Sequence, residues 1–504
     1  ARASTGAAAA VVGAASDTLE SVRRTIDEPG SLAPGDARVA SLRALAVLAS
    51  DGADRIDAVG LGPGEGLVEP IADARQEVAE QATDATTTLR QAAVAAEALA
   101  GLLERPGRYL LLVANNSQMQ NGNGMFLSTG IVAFGGGRLT IERLDHVDRP
   151  RRPDVPVPLD PDVAARWGLL DPNDDFRHLG LSPRFPVTAS TGAALWQALG
   201  GEDVDGVVAI DVVMLGALVD ALGPVSVDGV PMGGADLAEF LLYGQYAGVE
   251  FVNPREENAA RYDRMTEVAE QALRRFDELT ELPTDPSGLV RAAAGRHLLI
   301  WSEDPAVQRS WEQLGVDGSL DERSMLLAAI NRSGSKLDWY LDLGAGVEVR
   351  RQPGVLEVAV CVSVTNRAPP AGDSQYVIGP YPGSGLAAGE YLGILALTVP
   401  GAAAGGRVDG DDQLVAVGTE GPTNRVIATR LQLPPGATAR RVFRFELPAG
   451  AGSVVVEPSA RARPTPWTVG EDRFVDDGVN AVELDDLASG HRACDGVGGG
   501  PTGG

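Results

Sequence analysis

Residues 108–149 read RYLLLVANNSQMQNGNGMFLSTGIVAFGGGRLTIERLDHVDR. Residues 109–114 are apolar without alternation, the pattern of a strand covered on both faces. A polar, glycine-containing loop is expected at 115–124. Two further strands are expected at 126–134 and 138–144, with Gly135, Gly136 and Gly137 as the hairpin turn between them. A buried strand that runs into a polar loop is where an α/β unit usually places its ligand. Any chemistry is therefore expected near 115–124.

Upstream, residues 1–106 read as a helical hairpin or bundle. Ile71, Val78, Ala85, Leu89, Ala92, Ala96, Leu99 and Leu103 recur at spacings of seven, four and three, one apolar stripe on a long helix. The alanines in it imply close helix–helix approach, and Pro106-Gly107 ends it. An earlier helix carries Val39, Leu42, Leu45 and Leu48, and a glycine-rich break at 60–66 separates the two.

Downstream, strands and helices alternate through 107–345. Helices are expected at 189–199, 212–222, 235–246, 256–279 and 305–314, and strands at 206–210, 225–227 and 297–301. This alternation implies a three-layer α/β unit. From about 346 the period changes to two. Leu356, Val358, Val360, Val362 and Val364 alternate with Glu357, Ala359, Cys361 and Ser363, and strands are expected at 391–399, 425–433, 441–447 and 453–457. That texture, punctuated by Pro- and Gly-rich turns, predicts an antiparallel β-sandwich over 346–488. A glycine-rich tail, 489–504, follows. The fold class is thus multi-domain α+β.

Composition narrows the classes. The chain has 504 residues and 44% hydrophobic residues, with a mean hydropathy of -0.02, which suits a globular protein of two or three domains. A formal net charge of -27 argues against general binding to nucleic acid or anionic lipid. Lys336 is the single lysine, so the remaining basic residues are arginine, a pattern of GC-rich coding rather than of selection at each site. No run reaches the roughly 18 apolar residues of a membrane span. The chain begins ARAST, and an upstream membrane anchor removed from this chain is the expectation. The four histidines, His146, His178, His297 and His491, are scattered, which argues against a histidine metal centre.

Several stretches together resemble the bacterial domain-of-unknown-function family 4012. They are the strand 111–114 followed by Asn115-Asn116, the loop 118–124 and Met125-Phe126; LSPRFP at 181–186; VDGVVAID at 204–211 with LGPV at 222–225; WSEDP at 301–305; and KLDWY at 336–340. More distantly, the block is similar to the LytR-CpsA-Psr phosphotransferases, which move glycan chains from a polyprenyl pyrophosphate carrier onto the cell wall. The shared features are 204–227, including LVDALG at 218–223, and RYDR at 261–264 opening a long helix. The resemblance implies an envelope-associated, extracytoplasmic protein whose Arg261 and Arg264 hold a lipid pyrophosphate. Gln118 and Gln120 stand where family 4012 carries an acid and an arginine, Arg184 where it carries Asp, and the Arg-Ser-Asp-Thr type motif of the phosphotransferases is absent. Magnesium is the cofactor such chemistry would use, and this loop has no carboxylate to offer it.

The candidate site residues follow. Arg261 and Arg264 lie three apart and share a helix face, where their forks suit pyrophosphate oxygens or, in the plainer reading, pair with Glu257 and Glu267. With Arg149 they are expected to converge below the loop. Asp145 and Asp148, at a strand end, are the candidates for a proton acceptor. Asn115, Asn116 and Gln120 are candidate ligand contacts, the asparagines also serving to cap the loop backbone. Asp211 is placed to cap the next helix, and His297 to begin a strand without a chemical role. No Ser-His-Asp set, P-loop or glycosidase carboxylate pair is present. Cys361 lies on the face of its strand away from the apolar one, within reach of a crossing segment, and is expected to pair with Cys494. Two functions stand open. One is a degenerate phosphotransferase-like protein binding a lipid-pyrophosphate-linked glycan. The other is a non-catalytic surface assembly protein acting through contacts with other surface proteins.

Overall fold

The computed structural model describes residues 2–61, 68–147, 153–247, 254–281, 283, 285–381, 383–410, 414–485 and 487, and the side chains of 2–5 and 254–263 lie outside that description. Three helices come first, α1 (Arg2–Ile26), α2 (Asp36–Asp57) and α3 (Glu69–Glu104). The stripe on α3 is at least half-buried at every expected position except Ala92, with Leu103 fully enclosed. Ala46, Ala49 and Ala53 lie on the buried face of α2, and Gly52 lets α1 cross it closely. A Cβ at Gly52 would stand 2.6 Å from Thr18 Cγ2. The helices are fastened to the rest through Arg38, which is buried. Its guanidinium donates to the carbonyls of Leu32 and Leu279 at 2.9 Å each and lies 3.5 Å from Asp277. Backbone carbonyls satisfy most of this buried cation, which is what makes its burial tolerable.

The next unit is built on β1 (Gly107–Met119), β2 (Gly124–Gly135), β3 (Arg138–His146), α4 (Pro161–Trp167), α5 (Phe185–Ala198), β4 (Gly206–Asp211), α6 (Val212–Leu222), β5 (Val225–Val227), β6 (Val230–Met232), α7 (Gly234–Leu242), α8 (Pro254–Asp277), α9 (Ser287–Ala294), β7 (Leu298–Ser302) and α10 (Pro305–Leu314). Five strands form one sheet in the order β3-β2-β1-β4-β7. β1 and β4 run parallel, and the other pairs are antiparallel. Tyr109, Leu111 and Val113 enter an apolar cluster with α2, α3 and α6 to α9, while Leu110, Leu112 and Ala114 enter another with α5. Layers on both faces are the physical reason that 109–114 shows no alternation.

The remaining strands are β8 (Ser324–Asn331), β9 (Leu341–Gln352), β10 (Val355–Asn366), β11 (Tyr391–Pro400), β12 (Ala404–Val408), β13 (Leu414–Glu420), β14 (Asn424–Leu433), β15 (Thr438–Pro448), β16 (Ser453–Val456), β17 (Pro466–Val469), β18 (Asp472–Val475) and β19 (Asn480–Glu483), with a short α11 (Gln375–Ile378). They make two six-stranded sheets, β12-β15-β10-β9-β17-β18 and β13-β14-β11-β8-β16-β19. Apolar side chains of both sheets form a single cluster that includes Leu356, Val358, Val360, Val362 and Val364. The other face of β10 is closed as well, since Ala359, Cys361 and Ser363 are also buried. The boundary expected at 345 falls inside β9, and β8 pairs with β11 and β16 rather than with the five-stranded sheet. Among the described residues no helix is long and apolar enough to cross a membrane.

Candidate functional site

β1 does not end at Ala114. It continues to Met119 with an irregularity between Asn115 and Met119, and the chain returns at Gly124. The polar stretch is buried: Asn115, Gln120 and Asn121 have no exposed surface. Asn115 Oδ1 accepts from the backbone N–H and hydroxyl of Ser117, closing the local turn. Asn116 Nδ2 donates to Asp211 Oδ2 at 2.6 Å and to the Ala460 carbonyl at 2.8 Å. Gln118 Nε2 donates to the Gly334 carbonyl, while its Oε1 accepts from Lys336 Nζ. The Met119 N–H donates to Asp338 Oδ2 at 3.1 Å. Gln120 Nε2 donates to the Arg177 carbonyl and Asn121 Nδ2 to that of Leu181. The stretch is thus a hydrogen-bonded plug between the five-stranded sheet and the sheets beyond it. Neutral amides suit that position, because each brings a donor and an acceptor without the desolvation cost of a charge.

Asp211 caps α6 through Val213 and Met214, as its position suggested, and its second oxygen receives His297 Nδ1 at 2.6 Å. His297 is therefore the buried partner of a helix cap. The residues expected to carry chemistry lie apart. Asp145 is exposed and paired with Arg143. Arg264 Nε is 2.7 Å from Asp228 Oδ2, on the turn between β5 and β6. Asp148 and Arg149, and the side chain of Arg261, lie outside the described residues, so the expected arginine convergence rests on Arg264 alone, and its guanidinium is held by a carboxylate of its own. Cys361 is disulfide-bonded, and Cys494 lies outside the described residues.

Beside the plug, at the carboxyl ends of the parallel strands β1 and β4, is a cavity of about 510 Å³. Its walls are α6, α7 and α9, with Trp339 and the 461–463 segment across from them. Gly234 makes the α6–α7 approach possible, since a Cβ there would stand 2.0 Å from the Gly216 carbonyl oxygen, and Asp220 Oδ1 accepts from the Gly234 N–H at 2.7 Å. The charged lining is Asp220, Glu239 and Asp338 with Arg291, Arg461 and Arg463. Trp339 is stacked on Tyr243 at 5.4 Å, and the Arg463 guanidinium lies over its ring at 5.7 Å. Arg461 is buried, with Nη1 3.8 Å from Asp338 Oδ1. Burial pushes the Asp338 carboxyl up to about 6, against the pull of Arg461 and of hydrogen bonds from Asn331 and Met119.

Residues 104–246 match the model of the DUF4012 family, described as a protein of unknown function. The chain carries a DUF4012 region. No curated protein and no solved structure matches the chain. The DUF4012 match takes in β1 to β6 with α4 to α7, and hence Asn116 and Asp220 of the cavity. Arg291, Asp338, Trp339, Arg461 and Arg463 lie beyond it, so the cavity is completed by later parts of the chain. The 336–340 stretch announced two of these residues as a motif. Arg461 and Arg463 sit in a turn-rich segment between short strands and carry no sequence signal of their own.

Proposed function

We propose that this DUF4012-containing protein is a binding component of the bacterial cell envelope, in which a degenerate phosphotransferase-like α/β unit holds a lipid-pyrophosphate-linked glycan without transferring it. On this reading the five-stranded sheet with its helices is the phosphotransferase-like unit, and the two six-stranded sheets are the leaves of a β-sandwich. The observation that carries the proposal is the set of three guanidinium groups, Arg291, Arg461 and Arg463, on one cavity of a chain with net charge -27. Arginine forks match the oxygens of phosphate and pyrophosphate. Binding without transfer is favoured because the 115–124 stretch is packed as a plug of neutral side chains. The disulfide at Cys361 favours an extracytoplasmic location.

The test uses vesicles carrying a polyprenyl pyrophosphate. The full chain is expected to float with them and to stay behind with plain phosphatidylcholine vesicles. Equal behaviour on both would end the binding proposal, and magnesium-dependent release of pyrophosphate at an enzyme-like rate would end the non-catalytic one. A second reading, an assembly protein acting through protein–protein contacts, is favoured by a separate groove of about 500 Å³ between α2, α3 and α10, lined by Ala46, Ala93, Ala98 and Leu102.

A further inference from the structure

The cavity lining is not simply cationic. Three arginines face three acids along it, and the buried polar atoms are of both kinds. Asn116 is 3% exposed, and its Oδ1 accepts no hydrogen bond from the described protein, although its Nδ2 is doubly engaged. Arg461 is 5% exposed. Its Nη2 donates to the Leu341 carbonyl, while Nε and Nη1 donate to nothing within hydrogen-bond reach. A buried acceptor and a buried cationic donor left open on the same cavity each cost free energy that a ligand can recover. A bare anion satisfies Arg461 and leaves Asn116 Oδ1 and Asp338 Oδ1 with nothing to accept. A neutral polyol does the reverse. A fatty acid would meet the apolar wall of Val213, Ala217, Ala238 and Leu242 but leave both acceptors open.

We propose that the cavity binds a saccharide bearing an anionic group, the anion received by Arg461 and Arg463 and hydroxyls received by Asn116 and Asp338. The apolar wall from α6 and α7 then covers the non-polar face of a sugar ring, and about 510 Å³ is within the usual range for a small-molecule site. Trp339 acts as a positioning residue. Its ring stacks on Tyr243 and lies under the Arg463 guanidinium, which also donates to the Trp339 carbonyl and sits 3.4 Å from Asp342 Oδ1, so this fork is set before a ligand arrives. The proposal rests on the reading of this cavity as a ligand site and names what that site recognises. The anion can be a sugar phosphate or a uronate, which share the chemistry that an arginine fork reads.

The test titrates the full chain calorimetrically with four probes: maltose 1-phosphate, a galacturonate disaccharide, maltose and inorganic pyrophosphate. At least one of the two anionic sugars is expected to bind about 10-fold or more tighter than both maltose and pyrophosphate, and which one does so identifies the anion. Pyrophosphate as tight as the anionic sugars, maltose as tight, or no binding by any saccharide overturns the proposal. The polyprenyl pyrophosphate vesicles separate this from the reading beneath it, because vesicle binding without saccharide binding removes only the saccharide claim. Arg463→Gln, at a half-exposed side chain, is expected to weaken the anionic sugar several-fold without a change in melting temperature, and undiminished binding overturns the assignment of the anion.

Discussion

Asp338 and His146 set opposite pH dependences on the same buried region. The Asp338 carboxyl, ordinarily at 3.8, is pushed up to about 6 by burial. Between those values the native chain holds a proton more tightly than the unfolded one, so this residue favours folding most below 3.8, and the benefit is lost as pH rises to about 6. The shift corresponds to roughly 3 kcal/mol. Asp476, also pushed up to about 6, has the same sign. Burial, with Lys336 and Arg177 nearby, pushes the His146 imidazole down from 6.5 to about 3, so His146 costs stability at low pH and ceases to cost it by about pH 6.5. Asp338→Asn should therefore make stability climb more steeply between pH 4 and 6 than it does in the unaltered chain. His146→Gln should make it climb less. Urea midpoints at four pH values decide both, and slopes unchanged from the parent would refute the argument. At this scale the sequence was only partly legible. Asp211 as a helix cap follows from its place before an apolar run, but a raised carboxyl at Asp338 depends on burial by segments remote in the chain, which no local pattern reveals.

Elements were more legible than residues, because periodicity is local. The helix expected at 212–222 is α6 in full, and those expected at 256–279 and 305–314 correspond to α8 and α10. The stretch 115–124 reads as a loop since its composition is that of a loop, and it becomes buried strand and turn only because β8 and the 334–338 segment close over it. Helix packing offers a sharper test. An alanine in place of a helical glycine ordinarily gains about 0.5–1 kcal/mol. At Gly52 the added Cβ would meet Thr18 Cγ2 at 2.6 Å and Oγ1 at 2.7 Å, while that hydroxyl is held by the Ala14 carbonyl. Overpacking of this kind costs about 1–3 kcal/mol, so Gly52→Ala should destabilise by about 1 kcal/mol net. Thr18→Ala in the same chain should return most of the loss, as measured by thermal unfolding. A Gly52→Ala chain more stable than its parent would mean that α1 does not cross α2 so closely.

Across the whole molecule, a long-range connection is the least legible in sequence and has the largest predicted effect. The change from period 3.6 to mixed to period two marks the helices, the five-stranded sheet and the paired sheets. It could not reveal that β8, from before the expected boundary, is a central strand of one later sheet, because pairing partners lie far apart in the chain. The disulfide is of this kind. Cys361 is buried mid-strand on β10 and disulfide-bonded, and the chain has two cysteines. We propose Cys494 as the partner. The enclosed loop exceeds a hundred residues, for which the chain-entropy model gives about 4–5 kcal/mol, an upper figure because measured values often fall below it. Reduction should therefore lower the urea midpoint of the full chain substantially, and Cys494→Ser should lower it to the same value with no further effect of reductant. The denatured, unreduced chain should show no reactive thiol and run as a monomer on a non-reducing gel. Two thiols per chain would refute the bond, and a reductant-sensitive dimer would place it between Cys361 of two chains instead.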